Sequence, residues 1–224
     1  MIQVNNIKKS FGNNQILNGL TAYFEAGKVY GVVGVNGAGK TTFFECLAGL
    51  IPFEGSIDSS YKSLKNHIGL LCTNPYYFSL MTGKEYINLM CNASQVENNG
   101  VDAHNIFDLP LNKYASNYST GMKKKLAITA LLMQNKDVFI LDEPFNGVDI
   151  HSNIMITEII QKLKNAGKTL LISSHIFSSL KDSCDEIYYL KNGMFTHVKP
   201  TDFDDLENSM KSLTIGNKLD KITF

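Results

Sequence analysis

The chain contains no arginine and no tryptophan. Its permanent positive charges are all lysine, and they balance the acids at 21 each, so the formal net charge is zero. That balance removes the electrostatic footprint of a nucleic-acid binder, and no nucleic-acid partner is expected. It also means that an anionic ligand must be met by lysine or by backbone N–H groups, without the bidentate fork of a guanidinium. Cysteine is sparse. Cys46, Cys72, Cys91 and Cys184 stand far apart, with no C-x-x-C pair or Cys/His cluster, which predicts reduced structural thiols and speaks against a zinc site. No apolar run approaches the roughly 18 to 20 residues that span a bilayer. Met1 leads straight into the strand-like IQV with no apolar signal region, so the chain is expected to be soluble and any membrane role to need a partner. Internal repeats and low-complexity tracts are also missing.

What is present centres on residues 29–42, which read YGVVGVNGAGKTT from Tyr30. An apolar strand runs into Gly34, Gly37 and Gly39, followed by Lys40, Thr41 and Thr42 at the mouth of a helix. This is G-x-x-x-x-G-K-T, a phosphate-binding loop. Glycines let the backbone curl so that successive N–H groups, including those around Asn36 and Ala38, turn toward phosphate oxygens, and the following helix adds its positive end. Lys40 supplies a point charge for the terminal phosphates, and the Thr41 hydroxyl is suited to Mg²⁺. A chance glycine-rich turn is the plainer alternative, but the strand before and the amphipathic FFECLAGL after favour a nucleotide.

Residues 2–25 read as short strands around an Asn-rich turn at Gly12, Asn13 and Asn14. Phe11, just before it, is placed either to stack on adenine or to pack in the first sheet. Pro52 and Gly55 are expected to close the first helix, and SID and NHIGLLC to form two further strands. From residue 76 to 133 the pattern turns helical, in GKEYINLMCNA, VDAHNIFDL and TGMKKKLAITALLMQ, which suggests an inserted lobe. Next, the apolar strand DVFIL ends in Asp142 and Glu143. At the carboxyl edge of a parallel sheet, Asp142 would hold Mg²⁺ and Glu143 would polarise a water against the γ-phosphate. A helix from about residue 149 to 166, the strand KTLLISS, and then His175 follow, and the histidine would face the same pocket. The tail reads as a hairpin turning at Asn192 and Gly193 and an amphipathic helix over residues 203–212.

Taken together, the motifs resemble those of nucleotide-binding subunits of ATP-binding cassette (ABC) transporters, from residue 2 to about 197. Phe11 matches the adenine-stacking position, residues 34–42 Walker A, residues 118–122 (YSTGM) the signature, residues 138–143 Walker B, residues 146–149 the D-loop and His175 the switch histidine. The resemblance implies one α/β domain over residues 1–224: a RecA-like P-loop NTPase core, an N-terminal antiparallel β subdomain, a helical subdomain inserted at about 76–133 and a tail at about 199–224. It implies a MgATP-hydrolysing subunit, export being suggested by Thr120 and Met122 where the usual signature has Gly and Gln. Two cassettes, identical or not, would close head to tail, with Ser119, Gly121 and Asp149 of one meeting ATP held by the other. A separate integral membrane permease would dock near Tyr76, Tyr77 and Phe78, on the cytoplasmic side of the membrane. With no arginine, transition-state charge would fall to Lys40, backbone N–H groups and Mg²⁺. One departure stands out: Thr73 occupies the place of the Q-loop glutamine, so that any contact with the metal must use a shorter hydroxyl. A slow-hydrolysing regulatory cassette and a soluble ABC ATPase detached from any transporter are the alternatives.

Overall fold

A computed structural model describes residues 1–97, 100–175 and 177–215. In chain order it forms β1 (Ile2–Phe11), β2 (Asn14–Phe24), β3 (Val29–Val33), α1 (Lys40–Leu47), β4 (Glu54–Ser59), the single turn α2 (Leu64–His67), β5 (Ile68–Leu71), α3 (Gly83–Ala93), α4 (Thr120–Met133), β6 (Val138–Asp142), α5 (Ile150–Asn165), β7 (Thr169–Ser174), the single turn α6 (Ser178–Lys181), β8 (Glu186–Lys191), β9 (Met194–Val198) and α7 (Phe203–Ile215). The last nine residues of the tail lie outside the described residues.

Two sheets carry the fold. An antiparallel one has the order β2-β1-β4, and a larger one the order β5-β6-β7-β3-β8-β9, parallel throughout except for the β8–β9 hairpin. In β3, β6 and β7 every residue is buried, as strands covered on both faces require. One apolar core, built on Phe24, Tyr30, Phe43 and Phe44, fills the space between α1 and the two sheets. A second, on the opposite face, packs Ile128, Ile156, Ile160 and Leu180 against the same strands. The strands of the first sheet are longer than the short runs the sequence suggests, because β1 continues through a bulge at Asn6 (φ 52) instead of breaking there. Gly55 faces that bulge, where a β-carbon would come within 2.6 Å of the carbonyls of Asn5 and Asn6.

Gly55 therefore belongs to β4, and neither it nor Pro52 stops α1. The helix ends earlier, at Gly49 in the left-handed region (φ 70), where the N–H of Gly49 reaches the Cys46 carbonyl and that of Leu50 reaches Glu45. This is a Schellman closure, which satisfies the last carbonyls without a proline.

The helical lobe has its own core of Tyr77, Ile87, Cys91, Leu109, Tyr118 and Leu126. Its α3 starts with a reciprocal capping box between Thr82 and Glu85, and its α4 starts at Ser119, whose Oγ accepts the Met122 N–H. The expected helix at VDAHNIFDL is instead a series of turns. Asn105 explains why: its side chain both accepts from the Leu109 N–H and donates to the Leu109 carbonyl, each at 2.9 Å, so local side-chain bonds replace the helical ladder.

Candidate nucleotide-binding site

Because β7 lies between β6 and β3, the carboxyl ends of three strands stand side by side. Val33 pairs with Ser174 and Asp142 with Ser173, so the loops that follow leave the sheet at one level. The result is a cleft of about 330 Å³ lined by Phe11, Ile16, Asn36, Gly37, Gly39, Lys40, Thr41, Thr42, Thr73, Asp142, Glu143, Asn146 and His175. Ala38 and Gly34 sit behind this lining, within the loop itself.

The loop after β3 owes its shape to Gly37 (φ 82) and Gly39 (φ 105). Gly39 caps α1 from the left-handed region, and a β-carbon there would meet Ile16 at 2.8 Å. Lys40 is buried, and its ammonium donates to the Gly34 carbonyl at 2.8 Å and lies 3.5 Å from Glu143 Oε1. The Asp142 carboxylate is 1 % exposed. Its burial is offset by three hydroxyls: Thr41 and Thr73 each donate to Oδ2 at 2.6 Å, and Ser173 donates to Oδ1 at 2.5 Å. Hence Thr73 does touch the site, directly on Asp142.

Glu143 adopts φ 51, unusual for a residue with a β-carbon. Its N–H donates to Ser173 Oγ at 2.9 Å, and its carboxylate lies between Lys40 and His175 Nδ1, the latter 2.8 Å from Oε2. Phe11, at the far end of the cleft, is half exposed, with the Lys9 ammonium 5.0 Å from its ring centroid. Of the two readings of Phe11, packing within the sheet is the one that this exposure disfavours.

Other expected residues stand away from this cleft. Exposed Ser119 and half-buried Gly121 stand at the start of α4, and Gly121 packs so near the loop after β6 that a β-carbon would meet the Gly147 carbonyl at 3.0 Å. Asp149 caps α5, accepting from Ser152 N–H at 2.9 Å and from Lys125 at 2.8 Å. The Lys125 bond, with those from Ser152 next, holds its carboxyl far below the usual range. The aromatic run is split. Tyr76 and Phe78 are exposed, whereas Tyr77 turns into the helical lobe and donates to the Lys123 carbonyl at 2.5 Å. The sequence reading missed Ser173 and Ile16. A serine at the end of an otherwise apolar buried strand was the available signal for Ser173; nothing local marks Ile16.

The glycine loop, Lys40 and the paired carboxylates therefore share one cleft. Residues 17–146 match the family model described as ABC transporter. The chain is 32% identical over 222 residues to the lantibiotic transport ATP-binding protein SrtF of Streptococcus pyogenes, covering 93% of each chain. It is 32% identical over 206 residues to the bacitracin transport ATP-binding protein BcrA of Enterococcus faecalis, covering 86% of this chain and 67% of that one. A solved structure titled as the ATP-binding subunit of an ABC transporter superposes with a TM-score of 0.82 at 22% identity, over 94% of this chain and 99% of that one. The cleft, its phosphate loop and its paired acids thus sit in a chain that belongs to the ABC transporter family, as a nucleotide-binding ATPase subunit.

Proposed function

We propose that the chain hydrolyses MgATP in this cleft as one of two cassettes that close head to tail, and so drives export through a separate membrane permease. The observation that carries the reading is the placement of Glu143: its carboxylate stands between Lys40 and His175, at the lip of a phosphate loop and next to the hydroxyl-bound Asp142. Lys40 and the loop N–H groups would bind the β- and γ-phosphates. Glu143 would accept a proton from the attacking water, with His175 holding the carboxylate in aim. Phe11 would stack on adenine, beside Ile16.

Oxygens of Thr41, Thr73 and Asp142 converge within 2.6 Å contacts, a hard donor set of the kind that suits Mg²⁺ when phosphates and water complete its shell. Bound there, Mg²⁺ would neutralise charge on the β- and γ-phosphate oxygens.

The start of α4, with Ser119 capping it and Gly121 beside it, supports a contact with ATP on a second cassette, where a hydroxyl and the positive end of a helix favour an anion. Asp149 would join that interface. Tyr76 and Phe78 support a docking face for the permease, and no helix among the described residues is long and apolar enough to cross a membrane itself. A cytoplasmic location against the membrane follows from that assignment. The lantibiotic and bacitracin relatives favour export of a compound of antibiotic type.

The test is steady-state ATPase measured with equilibrium ATP titration. Glu143→Gln is expected to lower kcat by about 10² to 10⁴ while retaining ATP and accumulating a dimer on a sizing column. Lys40→Ala should instead weaken ATP binding itself. Unimpaired turnover in the first variant, or unchanged affinity in the second, removes that residue from its role.

A further inference from the structure

Lys124 is 2 % exposed, in the first turns of α4, and plays no part in the chemistry described above. Its ammonium donates to the main-chain carbonyl of Glu143 at 2.6 Å. Burial lowers its pKa, against the opposing pull of the Glu143 and Asp142 carboxylates. An ammonium buried at such cost, where an apolar side chain would fill the space, calls for a reason beyond packing.

The reason lies in the backbone it grips. Glu143 holds φ 51, which a β-carbon disfavours, and such a conformation persists only where its surroundings over-determine it. Ser173 Oγ fixes the N–H on one side of the residue, and Lys124 fixes the carbonyl on the other. Between these two bonds the Cα is set, and with it the direction in which the carboxylate leaves the chain. Release of the carbonyl would let the residue rotate toward an ordinary conformation and carry the carboxylate away from Lys40 and His175.

We propose that Lys124 is a positioning residue for hydrolysis, which aims the Glu143 carboxylate by clamping its peptide and ties that aim to the signature helix. This rests on the reading of Glu143 as the group that acts on water. Neighbouring bonds make the tie firm. Tyr77 donates to the Lys123 carbonyl, and Lys125 pairs with Asp149, so three consecutive lysines anchor the start of α4 to the loop after β6, to the cap of α5 and to the segment that bears the exposed aromatics.

The experiment measures kcat, KM and ATP affinity for wild type, Lys124→Met and Lys124→Gln, each also in a Glu143→Gln background by single-turnover assay. Lys124→Met is expected to lower kcat about tenfold or more with KM and affinity within twofold, the pattern of an interaction felt only in the transition state. Lys124→Gln, which keeps an N–H donor, should recover most of that loss. In the Glu143→Gln background both substitutions should cost less than about twofold, because the group they position is gone. An unchanged kcat in Lys124→Met, or an equal loss in both backgrounds, overturns the proposal. If the Met variant does not fold, Lys124→Ala, which also removes the donor, decides: a fall in kcat at constant KM that vanishes in the Glu143→Gln background supports it, and any other result overturns it. A Glu143→Gln protein as active as wild type refutes the Glu143 assignment and this proposal together, and that control alone identifies the case.

Discussion

Asp142 Oδ2 accepts two hydroxyls at once, from Thr41 and from Thr73, and this crowding is where Thr73 meets the cleft. A glutamine at position 73 has two further bonds of reach and an amide in place of a hydroxyl, so it could extend past Asp142 toward the attacking water. Thr73→Gln is therefore expected to raise kcat, read as phosphate release at saturating MgATP; a rate equal to wild type would sink the idea that this threonine slows hydrolysis. Thr73→Val removes one donor and leaves Thr41 on the same oxygen. It should cost roughly 1.5–3 kcal/mol, the range for a hydrogen bond to a charged group, seen as a lower urea midpoint without a change in slope.

At the scale of elements, the start of α5 and the end of α1 each hang on one residue. Asp149 caps α5 and holds Lys125 of α4, and these bonds depress its carboxyl pKa. A depressed carboxyl contributes stability that is fully present above its unfolded pKa of about 3.9 and is lost as pH falls through the lower folded value. Asp149→Asn keeps a good cap but drops the charge. Its melting temperature should sit below that of wild type by a constant margin from pH 5 to 8, and the margin should narrow below pH 4. A margin that widens in acid would contradict the assignment. Just past α1, Gly49 holds φ 70, and an added β-carbon would meet nothing nearer than Lys65 Cβ at 3.9 Å, an ordinary van der Waals contact. Gly49→Ala is thus a test of conformation without a clash, and should destabilise by roughly 1–2 kcal/mol in a urea titration.

For the molecule as a whole, the question is what moves when the cassette turns over. The exposed aromatics lie on the helical lobe's side of the chain: Tyr76 and Phe78 meet edge to face at 5.4 Å, with the exposed Leu80 close in sequence, while Tyr77 between them ties the same segment to α4. An apolar, partly aromatic patch of this kind suits a protein interface. Replacing Tyr76 and Phe78 together by serine is expected to leave the isolated chain's ATPase within about twofold, since neither lines the cleft, and to abolish recovery of a polytopic membrane protein when the tagged chain is isolated in mild detergent. Equal recovery by wild type and variant would place the permease elsewhere.

The sequence by itself determined the phosphate loop, the paired acids after β6, the capped start of α4 and the hairpin at Asn192 and Gly193. Each is set by neighbours in the chain: glycines at positive φ, a hydroxyl one residue before a helix, an apolar strand that ends in carboxylates. Only the tertiary structure decided which of these side chains share a cleft. It brought Thr73 and Ser173 onto Asp142, turned Tyr77 inward, left Ser119 and Asp149 outside the cleft, and buried Lys124 against the peptide of Glu143. The turns at residues 101–109, where a helix was expected, are local too: Asn105 bonds both polar groups of the Leu109 backbone, which apolar spacing does not reveal. Backbone chemistry is written over a few adjacent residues. Burial and partner choice are written between segments as far apart as residues 73 and 142, and they exist only once the sheet has set those segments side by side.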